Sequence, residues 1–502
     1  MKSIKINFLF ITIIFFTISC SKDFVEVKPE GQFLSENYYA NGDQAYAALV
    51  AVYDVVRKNS GGFENMIALM NSGSDDHVAG GGGATDGLQL QAFSDYSMTA
   101  NLMAGSYWND PYQGIFRANT LLKKLPEVPM DATLKARFEA EAKALRAHYY
   151  FNLVRMFGNI PLLLEPLTAG TMYDVEQADP AAVYAQIEQD LTDAIAVLPP
   201  NVSLATEAGR LTKGAAQALL GKVLLYQGKN GPAAAALAEV NGTPGQTSQY
   251  GYKLLDNFAS LWSPANKFNT ESIFEETHSA AGNSDWGFWG SGRDEGNSLN
   301  VMVGPRSYSR PAVSTAPALP SGWSFNVFTQ NFYDFMSGDP RFAATVFDLK
   351  ALKIAGQADY IEGYMNTGYF LNKFLPRSSD VSTGGGATEL NYRQNTYIIR
   401  LADTYLMEAE ALGATGTRAQ ALLDAVRARV GLGSVPVTLA AIKAERRKEL
   451  AGEGHRWFDL VRWGDAATVL QGRGFVAGKH EVFPIPFREL QGTKLEQNPG
   501  YN

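Results

Sequence analysis

Apolar residues recur at helical spacing through the first half of the chain. They lie three or four positions apart in four segments: 43–56, 111–125, 131–157 and 180–198. Asp43 precedes the apolar positions of the first segment and is predicted to cap its helix. Two further segments, 215–227 and 232–240, are rich in alanine, and small side chains allow two helix axes to approach closely. The pattern therefore predicts a stack of paired helices over residues 34–240.

Helical spacing returns towards the C-terminus. Tyr397 begins one predicted helix, and Thr438 is placed to cap another. Between the two helical parts, residues 241–391 lose this spacing, because glycine, serine, proline and asparagine become frequent. Residues 272–277 have the composition of a short strand. The middle of the chain is therefore predicted to be irregular, with short strands and long loops.

These patterns together predict a mainly α fold. We expect a superhelix of paired helices that resembles tetratricopeptide repeats, with a large ligand-binding insertion of loops and short strands at 241–391. A C-terminal helical part follows at 392–502, and residues 34–502 are expected to form one structural unit. The composition, 46% hydrophobic and 12% aromatic, is that of a globular protein. The net charge of −8 argues against a nucleic-acid partner.

The start of the chain has the pattern of a lipoprotein signal. Two lysines precede an apolar stretch, residues 8–18, which is followed by Ser19 and Cys20. This order is typical of a secretory signal peptide, and the stretch is too short to span a bilayer. Residues 1–19 are therefore predicted to be removed, leaving Cys20, the one cysteine of the chain, lipidated at the head of an extended polar tether, residues 20–33. The alternative is an ordinary signal that leaves a free thiol.

A series of motifs resembles the SusD/RagB family of outer-membrane nutrient-binding lipoproteins. They follow one another in the order found in that family and span nearly the whole chain after the signal. They lie at 30–32, 37–39, 397–411, 426–432, 445–450, 454–464, 483–486 and 497–501. A series of long motifs in order is far more specific than any single one.

The resemblance implies a lipid-anchored protein on the outer face of a Gram-negative outer membrane. It implies a partner, a TonB-dependent β-barrel transporter of the SusC type, over which this protein acts as a substrate-capturing lid. The implied ligand is an oligosaccharide, with peptides or glycopeptides as the alternative known in the family. The family motifs themselves are interpreted as structural. Four charged residues are expected to form ion pairs between helices, and two tryptophans to anchor the core: Arg446, Arg447, Glu449, Glu453, Trp457 and Trp463.

Sugar rings are bound by flat aromatic rings against their apolar faces and by polar groups aimed at their hydroxyls. The irregular stretch 279–325 concentrates both kinds of residue. A long irregular stretch in a folded protein is usually functional or disordered, and disordered segments carry few aromatic residues. Six residues here are predicted to contact the ligand: Trp286, Trp289, Trp323, Tyr308, Arg293 and Asp294. Arg306 and Asn297 supply further polar groups nearby. The alternative is that these aromatic residues only seal a large loop.

Residues 71–101 form a second candidate segment. Their glycine run, 80–83, lacks the following Gly-Lys-Ser/Thr of a phosphate loop and is interpreted as a mobile surface loop. The family resemblance places the equivalent loop beside the glycan, which makes Asp75, Asp76 and Tyr96 predicted ligand contacts. The alternative is that the two aspartates cap turns or hold calcium, but carboxylates at this spacing are too few for a calcium loop. No cofactor is predicted.

Catalytic motifs are missing from the sequence. The five histidines are scattered without the i, i+4 pair of a metalloprotease helix, and no Gly-x-Ser-x-Gly motif occurs. The chain is therefore predicted not to be an enzyme. Two classes of function remain: a surface glycan-binding lipoprotein that passes its ligand to a transporter, and a tetratricopeptide-type assembly protein without a small ligand.

Overall fold

The computed structural model describes residues 38–281, 285–286 and 295–501. In chain order its α-helices are α1 (Gly42–Asp54), α2 (Met66–Ser72), α3 (Leu88–Ser94), α4 (Ser106–Lys124), α5 (Ala132–Phe157), α6 (Pro180–Val197), α7 (Lys213–Tyr226), α8 (Asn230–Asn241), α9 (Ser298–Val303), α10 (Gln330–Met336), α11 (Phe342–Thr345), α12 (Leu349–Ile354), α13 (Leu401–Ala411), α14 (Gly416–Ala428), α15 (Leu439–Glu449), α16 (Arg456–Arg462), α17 (Ala466–Val469) and α18 (Phe487–Leu490). The strands are β1 (Ser272–Glu276), β2 (Val346–Asp348), β3 (Tyr369–Leu371) and β4 (Thr396–Arg400).

The helices form the predicted stack of pairs. Helix α4 packs on α5, α5 on α6, α6 on α7 and α7 on α8. Helix α8 then packs on α13, and α13 on α14, so the two helical parts form one continuous superhelix. In the α7–α8 pair the axes approach closely at Gly221, where a Cβ atom would lie 2.6 Å from Cγ of Leu237. The mainly α, tetratricopeptide-like fold is confirmed.

Helix termini follow local capping chemistry. The side chain of Asp131 accepts a hydrogen bond from the Leu134 amide at the start of α5, and Thr438 caps α15 as predicted. The predicted cap at Asp43 is wrong, because Asn41 accepts the bond from the Gln44 amide and Asp43 lies inside the first turn of α1. A carboxylate in that position still complements the helix dipole.

The helix predicted to begin at Tyr397 instead begins at Leu401. Residues 396–400 form β4, which pairs antiparallel with β1, with Ser272 opposite Arg400 and Glu276 opposite Thr396. The run Tyr397-Ile398-Ile399 is aromatic and β-branched, which favours a pleated surface once a partner strand is present. The strand predicted at 272–277 is confirmed as β1.

The insertion between α8 and β4 has a small core of its own. Strands β2 and β3 pair antiparallel, with Val346 opposite Leu371. An apolar cluster packs around this pair of strands: Ala316, Leu319, Val327, Phe347, Leu349, Ala358, Tyr360, Phe370 and Leu375. The insertion is therefore a folded unit that packs on the side of the superhelix, and not an irregular connection.

A buried charge cluster ties the insertion to the superhelix. Its members are Glu271, Arg341, Lys373, Arg400, Glu449 and Glu453. The Arg400 guanidinium lies 2.9 Å from Glu271, 2.7 Å from Glu449 and 2.8 Å from Glu453. Arg341 lies 2.9 Å from Glu449, and Lys373 lies 2.7 Å from Glu453. Glu449 and Glu453 form ion pairs as expected, but their partners Arg400 and Lys373 lie in a strand and a 3-10 turn and not in other helices.

Burial alone would favour the protonated form of Glu449 and of Glu453. Burial acts to raise the pKa of Glu449, but Arg429 and Arg400 hold it well below its ordinary value.

The other residues that were expected to be structural are also buried or bonded to a polar partner. Arg446 meets both Asp403 and Asp459, and Trp457 is fully buried. Trp463 is half-buried, and its indole N–H donates to Glu410. Among the described helices, none is both long and apolar enough to cross a membrane.

Replacing Arg400 by methionine tests the charge cluster. The substitution leaves Glu271, Glu449 and Glu453 short of one buried cation, so we expect the free energy of unfolding to fall by about 3–5 kcal/mol. Urea unfolding followed by circular dichroism measures this loss. Arg488→Met, at an exposed position in α18, is the control and should change stability by less than about 0.5 kcal/mol. A loss at Arg400 below about 1 kcal/mol would contradict the role given to the cluster.

Candidate functional site

Three aromatic side chains lie next to one another at the surface, and we call this group the aromatic platform: Phe63, Trp286 and Trp323. The ring centroids of Trp286 and Trp323 lie 5.9 Å apart, and the ring planes meet at 32°. Those of Trp323 and Phe63 lie 6.2 Å apart, at 44°. Trp286 is 49% exposed, whereas Trp323 and Phe63 are half-buried. Successive rings are tilted, so the platform is curved.

Trp323 is held by backbone pairing on both sides. Its amide donates to the Val301 carbonyl at the end of α9, and the next two amides continue this pairing. On the other side, residues 77–81 run antiparallel to residues 324–328, with bridges from His77 to Phe328 and from Gly80 to Phe325. Gly80 has a left-handed φ of 73°, and a side chain there would collide with the Ser324 carbonyl. The glycine run therefore lies against the tryptophan segment.

The segment after Trp323 stores backbone strain. Ser324 and Asn326 both have left-handed φ values, 61° and 53°, which are uncommon for residues other than glycine. Phe325 between them is 1% exposed and packs edge-on against Phe63, with centroids 5.3 Å apart. Strained residues of this kind persist where the surroundings determine them, and they are frequent at binding sites. Phe325 forms the floor beneath the platform.

An ion pair borders the platform. A guanidinium N–H of Arg306 donates to a carboxylate oxygen of Asp86 at 2.8 Å, and its Nε donates to the Trp323 carbonyl at 3.2 Å. The Gly82 amide donates to the same Asp86 oxygen at 2.7 Å. About a third of each charged side chain is exposed, 33% for Arg306 and 37% for Asp86. Both therefore offer polar atoms beside the rings.

Phe63 also faces a groove of about 340 Å³. Glu64, Ser106 and Asp110 line it, and Lys58 lies 3.2 Å from Asp110. Exposed apolar side chains lie near the glycine run. The amide of Tyr364 donates to the Gly81 carbonyl, and Leu88, Tyr364 and Met365 are all exposed.

The structure brings some of the predicted ligand residues together and separates others. Trp286 and Trp323 are neighbours in the platform. Tyr308 packs on the small core of the insertion, and its hydroxyl donates to the Pro317 carbonyl at 2.7 Å. Three predicted residues, Trp289, Arg293 and Asp294, and the lipidation site Cys20 lie outside the described residues.

Asp76 is buried and Asp75 is half-buried, and both face arginines of the C-terminal helices. Asp75 accepts two bonds from Arg456, at 2.7 and 3.0 Å, and Asp76 accepts one from Arg447 at 2.7 Å. Burial raises the pKa of Asp76 to about 6, and the negative charge of Asp75 is a second, smaller cause. Burial acts to raise the pKa of Asp75 as well, but Arg456 brings it below its ordinary value. The two carboxyl groups anchor the glycine loop and are not displayed to a ligand.

Tyr96 is also an internal residue. It is 5% exposed, and its hydroxyl donates to the Gly73 carbonyl. Burial raises its pKa well above the ordinary value for tyrosine. The ring packs against Phe93 and Phe475. The structure therefore places Tyr96 in the core behind the loop, in contrast to its prediction as a ligand contact.

Two residues of the site, Phe63 and Asp86, were not among the predicted ligand contacts. Phe63 follows Gly61-Gly62 in a tight turn before α2, a position at which a large aromatic residue is easily exposed. Asp86 closes the loop that begins with the glycine run 80–83. Each signal lies in the local sequence, but only the folded chain shows that Phe63 meets Trp323 and that Asp86 meets Arg306.

One buried cluster has the composition of a hydrolytic triad without its geometry. Ser60 Oγ lies 2.9 Å from Nε2 of His278, but it also hydrogen-bonds to Glu276 at 2.5 Å. In a triad the carboxylate orients the histidine through Nδ1, whereas His278 Nδ1 lies 3.2 Å from the Glu295 carbonyl. Ser60, Glu276 and His278 are buried. The absence of enzymatic activity stays a prediction.

In the part of the chain that the structure describes, no group of three or more histidine, cysteine, aspartate or glutamate side chains is arranged to hold a metal ion. The charges of Asp75 and Asp76 are balanced by guanidinium groups. The expectation of no cofactor stays a prediction.

Comparison with known sequences gives two family matches. The profile described as "SusD family" matches residues 335–479, and the profile described as "Starch-binding associating with outer membrane" matches residues 48–225. A curated relative, SusD-like protein P25 of Formosa agariphila, is 26% identical over 535 aligned positions, covering 96% of this chain and 96% of that protein. The resemblance in the sequence motifs therefore extends to both helical parts.

Two solved structures are similar over nearly all of the chain. One is described as a laminarin binding SusD-like protein; it is 64% identical, has a TM-score of 0.91, and the match covers 92% of this chain and 100% of that chain. The other is surface glycan-binding protein A from Bacteroides thetaiotaomicron in complex with laminarihexaose. It is 25% identical, has a TM-score of 0.80, and the match covers 91% of this chain and 99% of that chain.

Proposed function

This chain belongs to the SusD family, and we propose that it binds glucan oligosaccharides of the laminarin type at the cell surface. The observation that carries the proposal is the aromatic platform, Phe63, Trp286 and Trp323, next to the ion pair of Arg306 and Asp86. The 64% identical laminarin binding protein and the laminarihexaose complex support this choice of ligand.

The geometry of the platform fits a chain of sugars. The centroid spacings, 5.9 and 6.2 Å, are comparable to the length that one hexose unit adds to a glycan. Each ring can therefore lie against the apolar face of one unit, and desolvating these faces favours binding. The tilts of 32° and 44° between successive rings favour a glucan that bends along its length over one that lies flat.

Polar groups beside the platform can form hydrogen bonds with the hydroxyl groups of a bound sugar. Arg306 presents donors and Asp86 presents acceptors on one side of Trp323. Glu64, Ser106 and Asp110 line the groove beyond Phe63. Because the side chains in both places already bond one another, they are held in position before the ligand arrives, which lowers the entropic cost of binding. The contacts predicted at Trp289, Arg293 and Asp294 lie outside the described residues and stay predictions.

We propose further that the protein is held on the outer membrane by acyl chains on Cys20, facing the cell exterior. In this position it delivers its ligand to a TonB-dependent β-barrel transporter of the SusC type. Family membership and the signal sequence support both parts of the proposal. Acyl chains contribute about 0.8 kcal/mol per buried methylene, so two or more chains give durable attachment.

Trp286→Ala and Trp323→Ala test the aromatic platform. We expect each to weaken binding of laminarihexaose about ten-fold, because one stacked ring contributes roughly 1–1.5 kcal/mol. Isothermal titration calorimetry measures the dissociation constants. Phe116→Ala is the matched control, since Phe116 is 48% exposed in a separate groove and should leave the affinity unchanged.

If both tryptophan variants fold and bind laminarihexaose as tightly as the wild type, the proposed site is wrong. A wild type that binds peptides but no glycan would favour the peptide-binding alternative. A wild type that binds neither would favour a tetratricopeptide-type assembly protein.

Cys20→Ala tests the lipid anchor. Without the thiol no acyl chain can be attached, so the full-length chain expressed in its own host should move from the membrane fraction to the soluble or secreted fraction. Immunoblotting of fractionated cells measures this distribution. Ser21→Ala, which keeps the cysteine, is the control and should stay with the membrane. Equal membrane association of the two variants would refute the anchor.

A further inference from the structure

A second groove, of about 480 Å³, lies between residues 259–265, 372–380 and 392–394. Its volume is in the range of small-molecule sites. Neither the aromatic platform nor the ion pair of Arg306 and Asp86 lines it. It is therefore a separate place at which a ligand could bind, and its chemistry differs from that of the platform.

Arg377 faces this groove with its charge poorly compensated. Its Nη2 donates to Oδ1 of Asn372 at 2.5 Å, and its buried Nη1 has no hydrogen-bond partner among the described residues. Burial lowers the pKa of its guanidinium, against a smaller opposite effect of Asp380. The buried Arg400 and Arg446, by contrast, each contact at least two carboxylates. A half-buried guanidinium without a carboxylate is costly unless an anion joins it.

Two other buried polar atoms along the same groove lack partners in the described part of the chain. They are the indole Nε1 of Trp262 and Oδ1 of Asn300. Trp262 is only 8% exposed. The amide of Asn300 is fixed in orientation, because its Nδ2 donates to the Phe374 carbonyl and to Oε1 of Gln394. Buried polar groups are nearly always hydrogen-bonded, so unpaired ones around a groove indicate a polar occupant.

The charge of the groove favours an anion. Arg377, Lys373 and the exposed Arg393 line it, and the charge of Lys373 is met by Glu453. Asp380 is the acidic residue in the described lining. The groove is thus locally basic on a protein whose net charge is −8. A planar guanidinium pairs with carboxylates and sulfates through two parallel N–H bonds.

We propose that this groove is a second binding site, which takes a carboxylate or sulfate group on a small acidic ligand such as an acidic sugar. Arg377 is its main anchor, Arg393 attracts the anion at the mouth, and the Trp262 N–H is a further donor. The site is independent of the aromatic platform. Its ligand compensates the charge that the fold leaves unpaired.

Thermal unfolding in sodium sulfate and in sodium chloride at equal ionic strength is the first test. Sulfate stabilises most proteins through its exclusion from their surface, so the comparison is made between variants. The wild type and Arg310→Gln, which changes an exposed arginine outside the groove, should gain more from sulfate than Arg377→Gln. In chloride alone Arg377→Gln should be at least as stable as the wild type, because it removes an uncompensated charge. Equal gains from sulfate in all three proteins would overturn the proposal.

Calorimetric titration with glucuronate, acetate and glucose identifies the group that is bound. Glucuronate should bind to the wild type, acetate should compete with it, and glucose should not. Arg377→Gln and Arg393→Gln should each weaken glucuronate about ten-fold. Arg393 is exposed, so its substitution tests the site without disturbing the fold. Trp323→Ala should leave glucuronate binding unchanged. Glucose binding as tightly as glucuronate, or no loss in either arginine variant, would refute an anion site.

Crystals grown with selenate give a structural readout. Selenate has the shape and charge of sulfate and scatters anomalously. An anomalous peak within hydrogen-bond distance of the Arg377 guanidinium would support the proposal. Selenate found only elsewhere on the surface would refute it.

Discussion

The Arg400 guanidinium lies where three parts of the chain meet. It ends β4, contacts Glu271 ahead of β1 and reaches Glu449 and Glu453 at the end of α15. Arg341 and Lys373 bring the insertion to the same carboxylates. Because a buried ion pair gains little net stability over an apolar core, we expect this cluster to act mainly by fixing how these parts fit together. The position of the insertion on the superhelix depends on this cluster.

The aromatic platform depends on the way in which the charge cluster holds the insertion on the superhelix. The insertion supplies Trp323, and its ribbon with residues 77–81 supports the loop that carries Asp86. Asp75 and Asp76 fasten the base of this loop to Arg456 and Arg447. Trp323, its polar border and the floor at Phe325 are therefore set by contacts that lie beneath the surface. A binding face fixed in this way loses little conformational entropy when a ligand arrives.

Local sequence signals, such as capping residues and apolar spacing, were sufficient to predict most of the fold. Helix α5 could be predicted almost to the residue, because Asp131 caps it and Gly158 ends it. The strand at Tyr397 could not, because an aromatic and β-branched run suits either structure and its partner β1 is distant in sequence. Composition singled out the stretch 279–325 as a candidate site, and Trp286 and Trp323 of this stretch are neighbours in the structure.

The residues that form the candidate site could not be predicted from local sequence in the same way. Asp76 and Tyr96 looked exposed in a glycine-rich segment, but their partners Arg447 and Gly73 bury them. Phe63 joins the platform from a turn far from Trp323 in the chain. Which side chains of a loop point outwards depends on distant contacts, and these appear only in the folded protein.

A crystal structure of this protein with laminarihexaose tests the binding site directly. We expect glucose rings stacked on Trp286 and Trp323, with hydroxyl groups hydrogen-bonded to Arg306 or Asp86. A hexasaccharide bound in full occupancy at another place, touching neither tryptophan, would contradict it.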